Sequence, residues 1–238
     1  MLETTESDPP VANRLLAALP ADEYRRLFPG LKEIALNYGE NIYERGEIIR
    51  YVYFPGSGII SLLAAVEERA TLEVGIVGKE GIVGIALFLG VNRSTNSAIV
   101  QGAGFAMRMK AADFLTECRN GGSLPNILRR YTHSMLAQVS QSAVCYRFHP
   151  VEARLARWLL MTSDRMETDD FPVTQEFLSN MLGVRREAVN KSAGSLQQQE
   201  LISYSRGNLS IIDQANLEKA ACLCYGIIRD EEKSFPAS

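Results

Sequence analysis

Two textures meet in this chain near residue 123, and the change between them limits its fold more than any other feature. From Gly39 to Gly104 glycine recurs, with 11 of the chain's 18 glycines in that stretch. Short β-rich runs lie between them: Tyr51–Phe54, Ile59–Leu63, Leu72–Val77, Ala98–Gln101 and Phe105–Met109. Short strands broken by glycine turns point to a small all-β roll or barrel. Beyond Ser123 the period becomes helical. Ser123 is placed to cap a helix with Pro125 in its first turn, and apolar residues follow at Leu124, Leu128, Tyr131, Met135, Val139 and Tyr146. The steps predict a helix of about 25 residues that ends at His149-Pro150, because a residue before proline disfavours helical geometry. Its apolar stripe is too narrow for a core helix. It either pairs with a copy of itself or packs on the roll.

Ahead of the roll, the acidic run 1–12 with Pro9-Pro10 reads as disordered. Asn13 is an N-cap for a short helix stopped by Pro20, and a second short helix resumes at Ala21. After the long helix, another runs from Val151 to about Ser163 with Leu155, Trp158 and Leu159 facing inward.

The segment from Val173 to Leu196 carries the most readable chemistry. Thr174 is a good N-cap, Phe177, Leu178 and Leu182 form an inner face, and Gly183 allows a tight turn. Val184, Val189 and Leu196 then pack a second helix on the first, which is the spacing of a helix-turn-helix. On the second helix Arg186 and Asn190, like Glu187 and Lys191, are four residues apart and share the outer face. Arginine can fork onto a guanine edge, glutamate accepts from the cytosine amino group, and asparagine bonds adenine. The other reading of such spacing is a solvated face with ion pairs one turn apart. The hairpin Leu201–Ile212, turning at Arg206-Gly207-Asn208, reads as a wing. Arg206 at its tip is either a phosphate contact or a soluble turn residue. The DNA-facing candidates are Thr174, Gln175, Arg185, Arg186, Glu187, Asn190, Lys191 and Arg206.

The net charge of −3 argues mildly against a nucleic-acid partner. Even Thr174–Ile212 holds Arg185, Arg186, Lys191 and Arg206 against Glu176, Glu187 and Glu200, only one cation in excess. What matters is where those cations sit, since phosphate attraction acts locally. A low total implies modest non-specific affinity.

The cysteines are Cys118, Cys145, Cys222 and Cys224, and the chain opens with no basic region followed by an apolar one. Both facts fit a cytoplasmic protein with reduced thiols. No uninterrupted apolar run reaches the ~18 residues of a membrane span. His133 and His149 look too isolated for a metal cage, and Cys222 and Cys224 on one helix would point to different faces, so no metal site is expected. There is no Ser/His/Asp order, no paired carboxylates and no phosphate loop, so an enzyme is not expected.

Taken together, the YVYFP segment (Tyr51–Pro55), Val77-Gly78-Lys79-Glu80-Gly81 and the run VTQEFLSNMLGVRREAV resemble the Crp/Fnr transcription regulators, over about residues 13–228. The resemblance implies an α+β chain with three parts: a cyclic-nucleotide-binding-like β-roll (jelly roll, 13–122), a long dimerisation helix (123–149) and a winged helix-turn-helix (150–228). It also implies a homodimer on palindromic double-stranded DNA, acting with RNA polymerase and not at a membrane. The base-reading residues would fall on Arg186, Glu187 and Lys191. Lysine at the last of these, where the family often has arginine, cannot make the same fork.

In the cyclic-AMP-binding members a Gly-Glu pair and an Arg-Ser pair hold the nucleotide. Here the first reads Gly84-Ile85-Ala86 and the second Asn96-Ser97, or Arg93-Ser94 in a shifted register. On the long helix only Ser140 keeps a hydroxyl near the purine position. The candidate effector pocket is thus Gly84, Ile85, Ala86, Arg93, Asn96, Ser97 and Ser140, and it departs from the cyclic-AMP pattern. The missing carboxylate would leave the ribose hydroxyl unpaired, at about 1–3 kcal/mol. No cysteine precedes Cys118 for an iron–sulfur cluster, and no histidine lies in the roll for heme. An unidentified small-molecule effector is the remaining cofactor expectation. Two alternatives stay open: a ligand-sensing module that acts through protein partners, and a regulator that does bind a cyclic nucleotide.

Overall fold

The computed structural model describes residues 11–67 and 70–233. The expectation of disorder for the acidic N-terminal run falls almost wholly on residues 1–10, outside the described residues. The Asn13 side chain caps α1 (Arg14–Ala17), accepting from the Leu15 and Leu16 amides at 3.0 and 3.2 Å. Its own amide donates to the Pro55 and Gly81 carbonyls, both at 2.9 Å. One buried side chain thus starts a helix and ties it to the roll. A second helix, α2 (Ala21–Leu27), follows Pro20.

The roll is one antiparallel sheet of β1 (Leu31–Leu36), β2 (Asn41–Tyr43), β3 (Tyr51–Glu67), β4 (Ala70–Val77) and β5 (Ser97–Lys110). Its order is β1-β5-β3-β4, with β2 also on β5. The β-rich runs expected to be separate strands are instead continuous. Tyr51–Phe54 and Ile59–Leu63 are both in β3, and Ala98–Gln101 and Phe105–Met109 are both in β5. The β3–β5 register slips between Pro55 and Ser57, Ser57 and Ile59, and Ile59 and Ile60. Glycine here serves bulges inside long strands rather than turns between short ones. Gly58 lies at φ +78, and a Cβ on it would stand 2.5 Å from the Gly102 carbonyl oxygen across the ladder.

After α3 (Ala111–Arg119) comes the long helix α4 (Leu124–Phe148), as expected. Ser123 occupies the N-cap position, but its side chain makes no capping bond. Its amide instead donates to the Glu23 carboxylate at 2.9 Å. The buried stripe also differs from the expected one. It runs Leu124, Leu128, Tyr131, Gln138, Ser142 and Cys145, with Met135 packed between. Val139 is not buried, because Gln138 takes the inner face. The Gln138 side chain accepts from the Ile76 amide at 2.7 Å and donates to its carbonyl at 3.3 Å, pairing with the edge of β4 as a strand would. Leu136, Val144 and Phe148 face away from the protein, with Leu136 63% and Phe148 71% exposed.

His149 is extended (ψ 144) and Pro150 starts the next helix, α5 (Val151–Met166). Leu155, Trp158 and Leu159 are buried in it as expected, but so are Arg154, Arg157 and Arg165. Next come β6 (Asp170–Pro172), α6 (Gln175–Leu182), α7 (Arg186–Gln198), β7 (Ile202–Ser205), β8 (Asn208–Ile211), α8 (Gln214–Ala220) and α9 (Cys224–Lys233). A small sheet, β6-β8-β7, backs the helices. The core around α5 reaches into the roll through Ile59, Leu63 and Ile76. The two cysteines expected on opposite faces of one helix are not both helical. Cys222 precedes α9 and Cys224 opens it. Both are buried beside Cys145, and His149, expected to stand alone, lies against Cys224.

Candidate nucleic-acid interface

The Thr174 hydroxyl accepts from the Phe177 amide at 3.1 Å and so starts α6. Leu178 and Leu182 face the core, and Phe177 leans on Tyr38 of the roll, ring centroids 5.5 Å apart. Gly183 ends α6 in the left-handed region at φ 61, a conformation glycine adopts without strain. The side chain of Leu72 from β4 sits so close that a Cβ on Gly183 would lie 2.7 Å from it. The turn therefore rests against the roll.

Arg185 is the extended N-cap of α7, without a side-chain cap bond. Val189, Ser192, Ala193 and Leu196 point inward. Arg185, Arg186, Glu187, Asn190 and Lys191 all lie on the exposed side. Of these, Asn190 accepts from Gln175 Nε2 at 2.6 Å, which braces α7 against α6. None of Arg185, Arg186, Glu187 and Lys191 has a hydrogen-bond or ion-pair partner among the described residues. Glu187 and Lys191 do not pair although their spacing would permit it.

The wing is a hairpin pairing Ser205 with Asn208 across a two-residue turn, Arg206 at φ 52 and Gly207 at φ 80. Two successive left-handed residues are the type I′ geometry that matches strand twist. It leaves Arg206 exposed at the tip, also without a partner among the described residues. The expected DNA-facing residues thus divide. Thr174, Gln175 and Asn190 are engaged in holding the two helices, and five charged side chains stand free at the surface.

The seven effector-pocket candidates line neither the gap between α4 and the roll nor an open depression on the roll's surface. Gly84, at φ 96, leads into a single 3-10 turn (Ile85–Leu87), and Ile85 and Ala86 pack on the inner core of the roll. Arg93 donates to the Gly46 carbonyl at 2.9 Å, and the Ser97 hydroxyl to Glu44 at 2.8 Å. Asn96 is tied to the Ser94 hydroxyl, and Ser140 is exposed on α4. The space between α4 and the roll, lined by Ile76, Tyr131, Met135 and Gln138 among others, is about 20 Å³, room for one water. An open depression of about 460 Å³ on the roll, walled by Ile42, Tyr43, Ile48, Arg50 and Tyr51, includes none of the seven.

A buried polar seam, which the sequence did not suggest, joins the three parts. Arg165 donates to Glu80 at 2.8 Å and to Glu232 of α9. Burial pushes Glu80 up, but the Arg165 guanidinium together with the backbone amides of Gly78 and Glu80 holds it below the usual carboxylate range. Burial also pushes Glu232 up to about 7, against the pull of Arg165. Arg154 lies over the Tyr146 ring at 4.6 Å and donates to the Leu182 carbonyl at the end of α6. The sequence signal for this seam is that three arginines, Arg154, Arg157 and Arg165, share α5 with its inward apolar residues.

A β-roll, a long helix and a winged helix-turn-helix with a free cationic face define a DNA-binding class of architecture. Residues 153–220 match the Crp-like helix-turn-helix domain. The nitrogen fixation regulation protein FixK of Bradyrhizobium diazoefficiens is 24% identical over 221 residues, covering 86% of this chain and 88% of that protein. The structure of FixK2 from Bradyrhizobium japonicum superposes with a TM-score of 0.69 at 14% identity, over 81% of this chain and 98% of that one. A transcriptional regulator of the CRP/FNR family from Thermus thermophilus, TTHA1359, gives 0.63 at 19%, over 80% and 98%. Residues 153–220 thus match a Crp-like helix-turn-helix domain, and about four-fifths of the chain shares the fold of these regulators.

Proposed function

We propose that this chain is a homodimeric transcription regulator of the Crp/Fnr type that reads a palindromic double-stranded DNA site, one α7 per half-site. The observation that carries this is the unpartnered charge on α7 and the wing. Arg185, Arg186, Glu187, Lys191 and Arg206 are all exposed and unpaired among the described residues, on a scaffold that spends other polar side chains on bracing. Arg186, Glu187 and Lys191 read base edges, and Arg185 and Arg206 contact phosphates. The apolar outer face of α4, with Leu136, Val144 and Phe148, supports pairing of two copies along that helix. RNA polymerase is the further partner this reading implies. No helix among the described residues is long and apolar enough to cross a membrane. Ile85 in place of a carboxylate supports a roll not built for cyclic AMP.

Selection from random DNA tests the proposal. It should enrich a palindrome with half-sites one helical turn apart, unchanged by added cyclic AMP. On that site Arg186→Ala should cost about 1–3 kcal/mol and relax one base position. No enrichment, or Arg186→Ala binding specific and random DNA as the parent does, overturns it and favours action through a protein partner. A response to micromolar cyclic AMP overturns the reading of the roll.

A further inference from the structure

Three of the chain's four cysteines and one of its two histidines converge at the end of α4. The donor atoms of Cys145, His149, Cys222 and Cys224 all lie within 4.8 Å of one another. Cys145 Sγ is 3.4 Å from Cys222 Sγ, and Cys224 Sγ is 3.4 Å from His149 Nδ1. Cys145 and His149 are one helical turn apart, on the last turn of α4 and its cap. Cys222 and Cys224 come from the turn that opens α9. The three thiols form a small core of their own, with Ala153 the apolar side chain packed against it among the described residues.

A tetrahedral centre with sulfur ligands at about 2.3 Å and nitrogen at about 2.0–2.1 Å sets neighbouring donors roughly 3.5–3.8 Å apart. The two close contacts, at 3.4 Å, are within a few tenths of an ångström of that, and all the donor pairs lie within 4.8 Å. The surroundings fit as well. Gln141 Nε2 donates to Cys224 Sγ at 3.1 Å, the kind of outer bond that orients a ligand. Arg157, 2% exposed, is near enough for its charge to act on Cys145 and Cys222, and its Nε has no partner among the described residues. Arg154 and Arg157 both bear on this core of thiols, and three thiolates with one dication leave a net negative charge for them to face.

We propose that Cys145, His149, Cys222 and Cys224 form a closed four-coordinate site for a soft divalent cation of the zinc type. Binding releases the three thiol protons to solvent and leaves His149 neutral. With four protein donors there is no open position, so the site holds structure and does no chemistry on a substrate. It pins the end of α4, next to the break at Pro150, to α9. If the chain is the DNA-binding regulator proposed above, occupancy sets how the winged helix is held, and that consequence rests on the proposed function. Metal binding itself does not.

The test is a cobalt(II) titration of the reduced full-length chain under anaerobic conditions. One cobalt per chain should bind, with thiolate charge-transfer bands and the intense visible bands of a tetrahedral ion, and zinc should displace it. Cys118→Ser, which alters the one cysteine outside the cluster, should bind equally well. His149→Gln changes a half-buried cap residue and spares the core. It should weaken binding by more than the roughly 10–100-fold cost of losing an outer partner, and shift the visible bands. No stoichiometric cobalt, or His149→Gln matching the parent in affinity and spectrum, overturns the site whether or not the chain binds DNA. With the site filled, the affinity for the selected DNA should differ from that of the stripped protein. Equal affinities would overturn the coupling to the winged helix.

Discussion

The arginines of α5 and those of α7 with the wing make opposite use of the same side chain. Arg154, Arg157 and Arg165 are buried, and the first and last are bonded across boundaries between parts of the chain. Arg185, Arg186 and Arg206 are exposed and bonded to nothing among the described residues. A buried guanidinium is kept only where its desolvation is met by carbonyls, carboxylates or ring faces. An exposed one on a rigid helix is available to an incoming anion. The first set holds the molecule together, and the second faces outward for a partner. Each can be altered without touching the other, so the difference is open to measurement.

The largest effect is expected at Arg165. Replacing it with alanine leaves the half-buried Glu80 and Glu232 without their shared cation, and breaking a fully buried pair from one side costs at most about 3–5 kcal/mol. The urea midpoint of Arg165→Ala should fall accordingly. That of Arg186→Ala should stay within about 0.5 kcal/mol of the parent, as for surface substitutions generally. Equal midpoints would erase the distinction between the two sets.

The acid that the buried set faces is a second point of attack. The Thr162 hydroxyl donates to the Trp158 carbonyl at 2.9 Å, so it accepts from Gln101 Nε2 at 2.8 Å. Gln101 Oε1 then takes the single Ser61 hydroxyl proton, at 2.6 Å. Ser61 Oγ also lies 2.7 Å from Glu73 Oε2, and its one hydroxyl proton cannot serve both acceptors, which disfavours the ionised carboxylate. Burial agrees, pushing Glu73 up to about 7 although Ser61, Arg157 and Arg165 pull the other way, and the Tyr146 hydroxyl donates to the Glu73 carbonyl oxygen. The unfolded carboxyl titrates near 4.5. Between there and about 7 the folded state holds a proton the unfolded state has released, so stability falls as pH rises through that window and is flat above it. The loss from Glu73 is on the order of 3 kcal/mol. Glu73→Gln should remove that share of the slope in urea midpoints measured from pH 5 to 8. Glu232 titrates in the same window and retains its own share. A slope identical to the parent's would place the proton elsewhere.

The helix-turn-helix and wing were legible because each depends on a local device. Thr174 caps, Gly183 turns, and Arg206-Gly207 reverses the chain, all within a few residues of what they control. The features that were not legible are long-range. Bulges let glycines lie inside β3 and β5, where spacing alone suggests separate strands. Gln138 reads as surface until its pairing with Ile76 of β4 is seen. Arginines spaced along α5 look like a solvated face until Glu80 and the carbonyl of Leu182 arrive from elsewhere. The thiols of Cys145 and Cys222 meet from 77 residues apart, a separation that no local pattern announces.

The smallest effect tests the exposed set at its edge. Arg206 sits on a two-residue turn whose geometry comes from the backbone, so losing its side chain leaves the wing paired as before. Left-handed φ at Arg206 favours a small residue, and Arg206→Gly keeps that conformation available. If Arg206 contacts a phosphate, the variant should weaken cognate and random DNA by the same factor. The slope of log affinity against log salt should also become shallower by about one per chain, the release of one fewer counterion. Arg186→Ala should do the reverse, changing discrimination more than the salt slope. A loss confined to the cognate site would make Arg206 a base reader. An unchanged slope would leave it a turn residue and confine the free charge that matters to the first two turns of α7.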